Sequence, residues 1–318
     1  MRWAERFRDA DGVRVWPHCV FQSIRNDMLD QYMLNLLGGR TMGTVPTRTA
    51  SPQYTIPKVS EHCDAWASER DVNCPCSAPA ALLGRQHTVV EIGANDGLHM
   101  SNSWFFERYL GWRSLCVEAN PEVYKRLVQQ RPDCINVNAL VGRPQYEGQR
   151  LPYVSFYRPG AAQKGQTYRD WETGVSGLES TQQDWLRRGG NGTQHAKGAR
   201  LQVRREMLPL RAFADIFAEN NITRIDFLSV DVEGAEQLVL DSIDYTAVSI
   251  RAIVVERPQP NTTQLLERNG FHDLGVGVGT LGDRVFANVR DPPWMRSVPT
   301  AWHRLDRRPK HGASHGSI

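Results

Sequence analysis

The stretch Thr88-Val89-Val90-Glu91-Ile92-Gly93-Ala94-Asn95-Asp96-Gly97 decides the fold. Its apolar, β-branched first half predicts a buried strand, and its second half a turn whose two glycines let a ligand approach the backbone closely. Alone, a glycine pair after a strand is equally ordinary turn chemistry. It is not the GxGxxG of dinucleotide binders, and no Walker A sequence occurs in the chain. Working outward, SLCVEAN (114–120) reads as a second strand ending on Glu118, 25 residues after Gly93. An acid at that place accepts hydrogen bonds from both hydroxyls of a ribose laid across the strand ends. A plain strand-end carboxylate would explain Glu118 by itself, but the two signals at this spacing favour an adenosine-type ligand. INVNALVG (135–142) reads as a third strand, with Asn138, Ala139 and Leu140 where an adenine ring would lie. Between the strands, Ser101 is expected to cap a helix over 102–110 that stops at Gly111, and Pro121 to open a helix reaching about Gln130. This βαβαβ alternation predicts a parallel sheet with helices on both faces.

Residues 143–205 interrupt the alternation. There, YVSFYRP (153–159) alternates like an exposed strand, and RRGGNGTQHAKGA (187–199) reads as a loop. Regularity returns with REMLPLRAFADIFAENN (205–221), a short strand into a helix, and with the apolar strand IDFLSVDVEG (225–234). A helix over 235–243, a strand IRAIVVE (250–256) and a closing pair around NGFHDLGVG and DRVFANV complete the pattern. Strand alternation puts Asp231 and Glu233 on one side at a carboxyl end, the edge where open α/β sheets bind ligands. The plainer account is an acidic first turn stabilised by a helix dipole, which suits Glu233 and Glu236 better than Asp231. His272, in a predicted strand, is a candidate second base or a surface histidine. His99 and His195 carry the same two readings, and Trp171, Thr173, Ser176 and Trp185 either shape an acceptor pocket or pack.

The chain has 318 residues, of which 40% are hydrophobic and 23% charged, enough for a sizeable core and incompatible with wholesale disorder. Three segments are expected: an irregular N-terminal extension over 1–85 with one helix near 26–37, a main domain over 86–290, and a basic, disordered tail over 291–318. The net charge of +3 is accounted for by Arg304, Arg307, Arg308 and Lys310 against Asp306. The body is therefore neutral, which speaks against a nucleic-acid partner despite the basic run over 184–206. No run of apolar residues reaches a membrane span, so a soluble protein is expected. The absence of an apolar leader points to the cytoplasm, with the secretory-pathway lumen as the alternative. Cys116 and Cys134 lie in apolar runs and read as buried core thiols. Cys63, Cys74 and Cys76 match zinc spacing poorly, and in an oxidising compartment Cys63 could form a disulfide with Cys74 or with Cys76.

Taken together, VEIGANDG, SNSWFFERYLGW, VEANPEVYKRL and IDFLSVDVEGAE, in that order, resemble the FkbM family of S-adenosylmethionine-dependent methyltransferases. The resemblance implies an α/β, Rossmann-like class I methyltransferase fold, with a mostly parallel seven-stranded sheet, and O-methylation of a hydroxyl on a sugar, glycan or other small-molecule acceptor. Under it, Glu91, Gly93, Asn95, Asp96 and Gly97 form the cofactor's glycine loop, and Ser101 and Asn102 the polar pair opening the next helix. Glu118, with Ala119 and Asn120, holds the ribose, while Asn138 and Ala139 edge the adenine. Asp231 and Glu233 lie beside the transferred methyl, Asp231 as base or acceptor-orienting group, with Glu233 as its partner and His272 as a further candidate. Two acids so close could instead hold Mg²⁺. Where the family strand ends as VIEI, this chain has Val255-Glu256-Arg257-Pro258. The competing readings are a non-catalytic cofactor-binding scaffold, a nicotinamide oxidoreductase and a nucleic-acid methyltransferase.

Overall fold

The computed structural model describes residues 84–98, 101–157, 174–183, 202–278 and 282–290, together with Met33, Leu37, Leu82 and Leu186. Of the helix expected near 26–37, the described Met33 and Leu37 are both helical and buried. Cys63, Cys74, Cys76, His99, Trp171, Thr173, Trp185, His195 and the tail lie outside the described residues.

Seven strands make the main sheet: β1 (Thr88–Ile92), β2 (Arg113–Glu118), β3 (Ile135–Asn138), β8 (Arg224–Val230), β9 (Ser249–Val255), β10 (Phe271–Val278) and β11 (Asp283–Asn288). Their order is β10-β11-β9-β8-β1-β2-β3. The pairings from β9 through β8, β1 and β2 to β3 are parallel. Those of β11 with β9 and with β10 are antiparallel, so the sheet is mixed rather than uniformly parallel. β1 is buried at every position, and β8 at all but its first. This is why both read as mainly apolar rather than alternating runs, although each also buries a carboxylate, Glu91 or Asp226. Val90, Ile92, Leu115, Val117, Leu228, Val230 and Ile253 join Phe213, Ile216, Phe217 and Leu266 in the largest core cluster.

The helices follow the local signals. α1 (Trp104–Leu110) stops at Gly111, whose φ of 69° suits a glycine C-cap. It begins two residues later than the sequence suggests, although Trp104 N still donates to Ser101 Oγ at 3.1 Å. α2 (Pro121–Gln130) has proline in its first turn, and Asn120 Oδ1 accepts from Glu122 N and Val123 N. α3 (Phe213–Glu219), α4 (Glu236–Leu240) and α5 (Pro260–Arg268) complete the set. Among the described residues no helix is long and apolar enough to cross a membrane.

Three expectations change. First, INVNALVG is two strands: β3 pairs with β2, while β4 (Leu140–Gly142) pairs with β7 (Gln202–Ala212) in a second sheet ordered β4-β7-β5-β6. Second, the stretch over 143–205, which interrupts the alternation, carries paired strands in its described residues. β5 (Arg150–Tyr157) pairs along its whole length with β7, and β6 (Gly177–Leu178) adds to its other edge. Residues 153–156 are buried rather than exposed, because β5 is covered on both faces there. Tyr153 packs with Leu178, Leu208, Leu210 and Ala235, whereas Val154 and Phe156 pack with Val175, Leu186 and Val203. Third, Cys116 and Cys134 are buried but are not thiols, since a disulfide joins them, with Cα atoms 6.3 Å apart. Cys134 immediately precedes β3, beside β2, so the strand register brings the two sulfurs together.

Candidate active site

The carboxyl ends of β1, β2 and β8 converge on one rim. Gly93, with φ of 88°, sits against β8 so closely that a Cβ there would lie 1.7 Å from Asp231 O. No other residue fits. Gly93 N and Ala94 N donate to Val117 O at 2.9 and 3.0 Å, and Asp231 N donates to Ile92 O at 3.0 Å. Gly97, with φ of 83°, lies against Leu127 and Arg131 in the same way.

Between these strand ends opens a cavity whose empty space, counting the part open to solvent, is about 910 Å³. Gly93, Asn95, Glu118, Ala119, Ala139, Asp231 and Glu233, all singled out from the sequence, line it. Glu118 stands in its wall with one carboxylate oxygen accepting Asn95 N at 2.9 Å and the other Asn120 N at 2.7 Å. Burial pushes its carboxyl up to about 7, against the pull of those backbone donors. Each oxygen keeps a further lone pair for a ligand hydroxyl.

Other expected site residues act from behind the wall. Glu91 is buried beneath the loop, where it accepts from Ser101 Oγ, Ser103 Oγ and Asn102 N. Burial raises its carboxyl, while Arg131 and these donors lower it. Asn102 Nδ2 donates to Ser229 Oγ at 2.9 Å, tying α1's approach to β8. Asp96 Oδ1 accepts Leu98 N at 3.1 Å within the turn. Asn138 is exposed, and its amide nitrogen donates to Glu118 O at 2.7 Å and Ala119 O at 3.1 Å. It braces the loop after β2, while its neighbours Ala139 and Leu140 face the cavity. His272 requires correction. It lies on β10, the edge strand separated from β8 by β11 and β9, where it pairs with Ala287 of β11, and is not in the cavity wall.

The acidic side is built by a turn. β8 ends at Val230, and the chain then bends through Glu233 (φ 54°) and Gly234 (φ 99°), so this turn, not strand alternation, brings the acids together. Glu236 Oε1 accepts Val232 N at 3.2 Å and Gly234 N at 2.9 Å, fixing the bend. Carboxylate oxygens of Asp231, Glu233 and Glu256 lie within 4.8 Å of one another. Arg257 donates to Glu233 Oε2 at 3.1 Å and to Glu256 Oε1. Burial opposes the Arg257 charge, but Glu256, Glu233 and Asp231 together hold its pKa above the ordinary arginine value.

Sequence reasoning missed three contributors. Arg131, 1% exposed, donates to Gly97 O, Ser101 Oγ, Ser103 Oγ and both Glu107 oxygens, locking the glycine loop from below. Tyr153, from β5, enters the cavity wall, and burial together with Glu118, Glu233 and Glu206 holds its phenol well above the ordinary tyrosine value. It is therefore a neutral donor. Gln182 Nε2 donates to Glu233 O at 2.8 Å, so the segment after β6 also steadies the acidic turn. The aromatic within YVSFY was the one available signal. Of the residues considered from the insertion, Ser176 does line the cavity.

The family described as Methyltransferase FkbM domain matches residues 91–283. No curated protein matches the chain. Among solved structures, fibrillarin from Aeropyrum pernix, in complex with natively bound S-adenosyl-L-methionine, is 10% identical over 65% of this chain and 68% of its own, with a TM-score of 0.33. A TehB-like SAM-dependent methyltransferase from Corynebacterium glutamicum is 10% identical over 65% and 83%, with a TM-score of 0.30. Precorrin-6y C5,15-methyltransferase from Geobacter metallireducens is 11% identical over 61% and 69%, with a TM-score of 0.28. The family match spans more than half of the chain and includes the whole rim from Glu91 to Arg257. The chain belongs to the FkbM methyltransferase family.

Proposed function

We propose that this S-adenosylmethionine-dependent methyltransferase acts on a hydroxyl oxygen of a sugar, glycan or other small-molecule acceptor. The observation that carries the reading is a single cavity with Glu118 in one wall and Asp231 and Glu233 in another. When bound, the cofactor supplies an electrophilic methyl on a sulfonium. Glu118 receives the ribose hydroxyls on the lone pairs that Asn95 N and Asn120 N leave over. Gly93 keeps the loop flat enough for the methionine part. Asp231 orients the acceptor oxygen and takes its proton, with Glu233 beside it, and Tyr153 donates a hydrogen bond from the opposite wall. Alignment of acceptor and donor is worth on the order of 7–11 kcal/mol, and the base about 10²–10⁴-fold in rate.

Mg²⁺ assistance through Asp231 and Glu233 gains a third hard-oxygen donor in Glu256, yet Arg257 already holds two of the three. The Cys116–Cys134 disulfide supports an oxidising compartment, such as the secretory-pathway lumen, over the cytoplasm. The test is calorimetry with S-adenosylmethionine and S-adenosylhomocysteine, followed by a tritiated-methyl screen over glycans, lipids, small alcohols, RNA and DNA. Counts in a glycan or alcohol support the reading. Counts confined to RNA or DNA, or cofactor binding that Asp231→Ala/Glu233→Ala leaves intact with no turnover to lose, would replace it.

A further inference from the structure

The acids at the ends of β8 and β9 come with their own cation. Asp231, Glu233 and Glu256 gather their oxygens within 4.8 Å, a separation at which three like charges repel one another. Arg257, the second residue after β9, reaches into this group. Its Nη2 lies 3.1 Å from Glu233 Oε2 and also bonds Glu256 Oε1, so one nitrogen bridges two of the three acids. Two further features fix it there. Its backbone has φ of 40°, a conformation that non-glycine residues seldom adopt. Its Cγ also lies against Gly282, 3.8 Å from where a Cβ would stand. A guanidinium stays protonated at any working pH and presents a planar fork of donors to carboxylates.

We propose that Arg257 is the resident cation of this cluster, standing where a divalent metal would otherwise sit, so that a guanidinium rather than Mg²⁺ compensates the carboxylates at the cavity rim. It is a positioning residue, acting through the two acids. The use made of those acids rests on the methyl-transfer reading, whereas the charge compensation does not. Removal of Arg257 leaves an all-oxygen set of three carboxylates, the donor chemistry of Mg²⁺ and Mn²⁺ sites.

Mn²⁺ titration by calorimetry and electron paramagnetic resonance on the whole chain tests this. The proteins are the wild type, Arg257→Ala, Arg257→Lys and Arg257→Ala/Asp231→Asn, each checked by circular dichroism and by S-adenosylhomocysteine binding in EDTA. Arg257→Ala should bind Mn²⁺ about tenfold or more tightly than wild type, since one local positive charge is gone. Lysine should restore exclusion, and the double variant should lose the new affinity. Wild type binding Mn²⁺ as tightly as Arg257→Ala overturns the proposal. Should no variant bind S-adenosylhomocysteine while the Mn²⁺ pattern holds, charge compensation stands and the methyl-transfer reading falls.

Discussion

The two sides of the cavity solve opposite problems. On the glycine-loop side, Glu91, Glu107, Ser101, Ser103 and Arg131 consume one another's hydrogen-bonding capacity below the surface, leaving backbone, Glu118 and small residues to face the ligand. On the acidic side, carboxylates crowd the rim, and the backbone passes through positive φ at Glu233 and again at Arg257. The first side is a rigid mould whose charges are spent on its own shape. The second keeps charge where a reacting oxygen would lie, and is steadied from outside by Gln182 and Arg257. Binding and chemistry are thus divided between a buried network and a strained turn, and each should fail in its own way.

Arg131→Met should produce the largest effect. It leaves Glu107 and Glu91 facing burial without their cation, a loss of about 3–5 kcal/mol read as a lowered denaturant midpoint. Gly93→Ala comes next. The clash with Asp231 O and the positive φ should cost on the order of 3 kcal/mol and remove S-adenosylhomocysteine binding. Cys134→Ser should cost about 3 kcal/mol by releasing the closed loop around α2, and mass spectrometry without reductant should find the 116–134 linkage in the wild type. These three act on the mould. An acidic-side change should leave stability near wild type and act on turnover instead: Asp231→Asn is expected to keep the cofactor and lose about 10²–10⁴-fold in rate.

The smallest effect is a slope. The Glu118 carboxyl is raised from 4.5 to about 7 in the folded protein, chiefly by burial, so the folded state binds a proton more readily than the unfolded chain. Its contribution to stability is fully present below about pH 4.5 and is lost as pH rises toward 7. Glu118→Gln should flatten thermal stability across that window, and an unchanged slope would remove Glu118 as its cause.

The glycine loop, Glu118 and the Asp231-Val232-Glu233-Gly234 turn were legible because each is written within a few consecutive residues at a strand end. What stayed hidden depends on pairings between distant segments. Tyr153 enters the cavity only because β5 pairs with β7, some fifty residues later in the chain. Arg131 reads as the end of an ordinary amphipathic helix until Gly97 is seen packed against its stem. The break at Ala139, which sends β3 and β4 to different sheets, falls between two short β-prone pieces that read in sequence as one strand. The disulfide follows from the β2–β3 register, which hydrophobicity alone does not specify. His272 failed for the complementary reason, since its strand was recognised but the sheet order that carries it away from the rim was not.

The decisive measurement is calorimetric titration of S-adenosylhomocysteine into wild type and Glu118→Ala at one pH and salt. Saturable one-to-one binding by the wild type, weakened about tenfold or more when the charge-assisted bonds to the ribose are lost, is the predicted result. Equal affinity in both proteins, or heat from neither, would contradict the placement of the cofactor in this cavity.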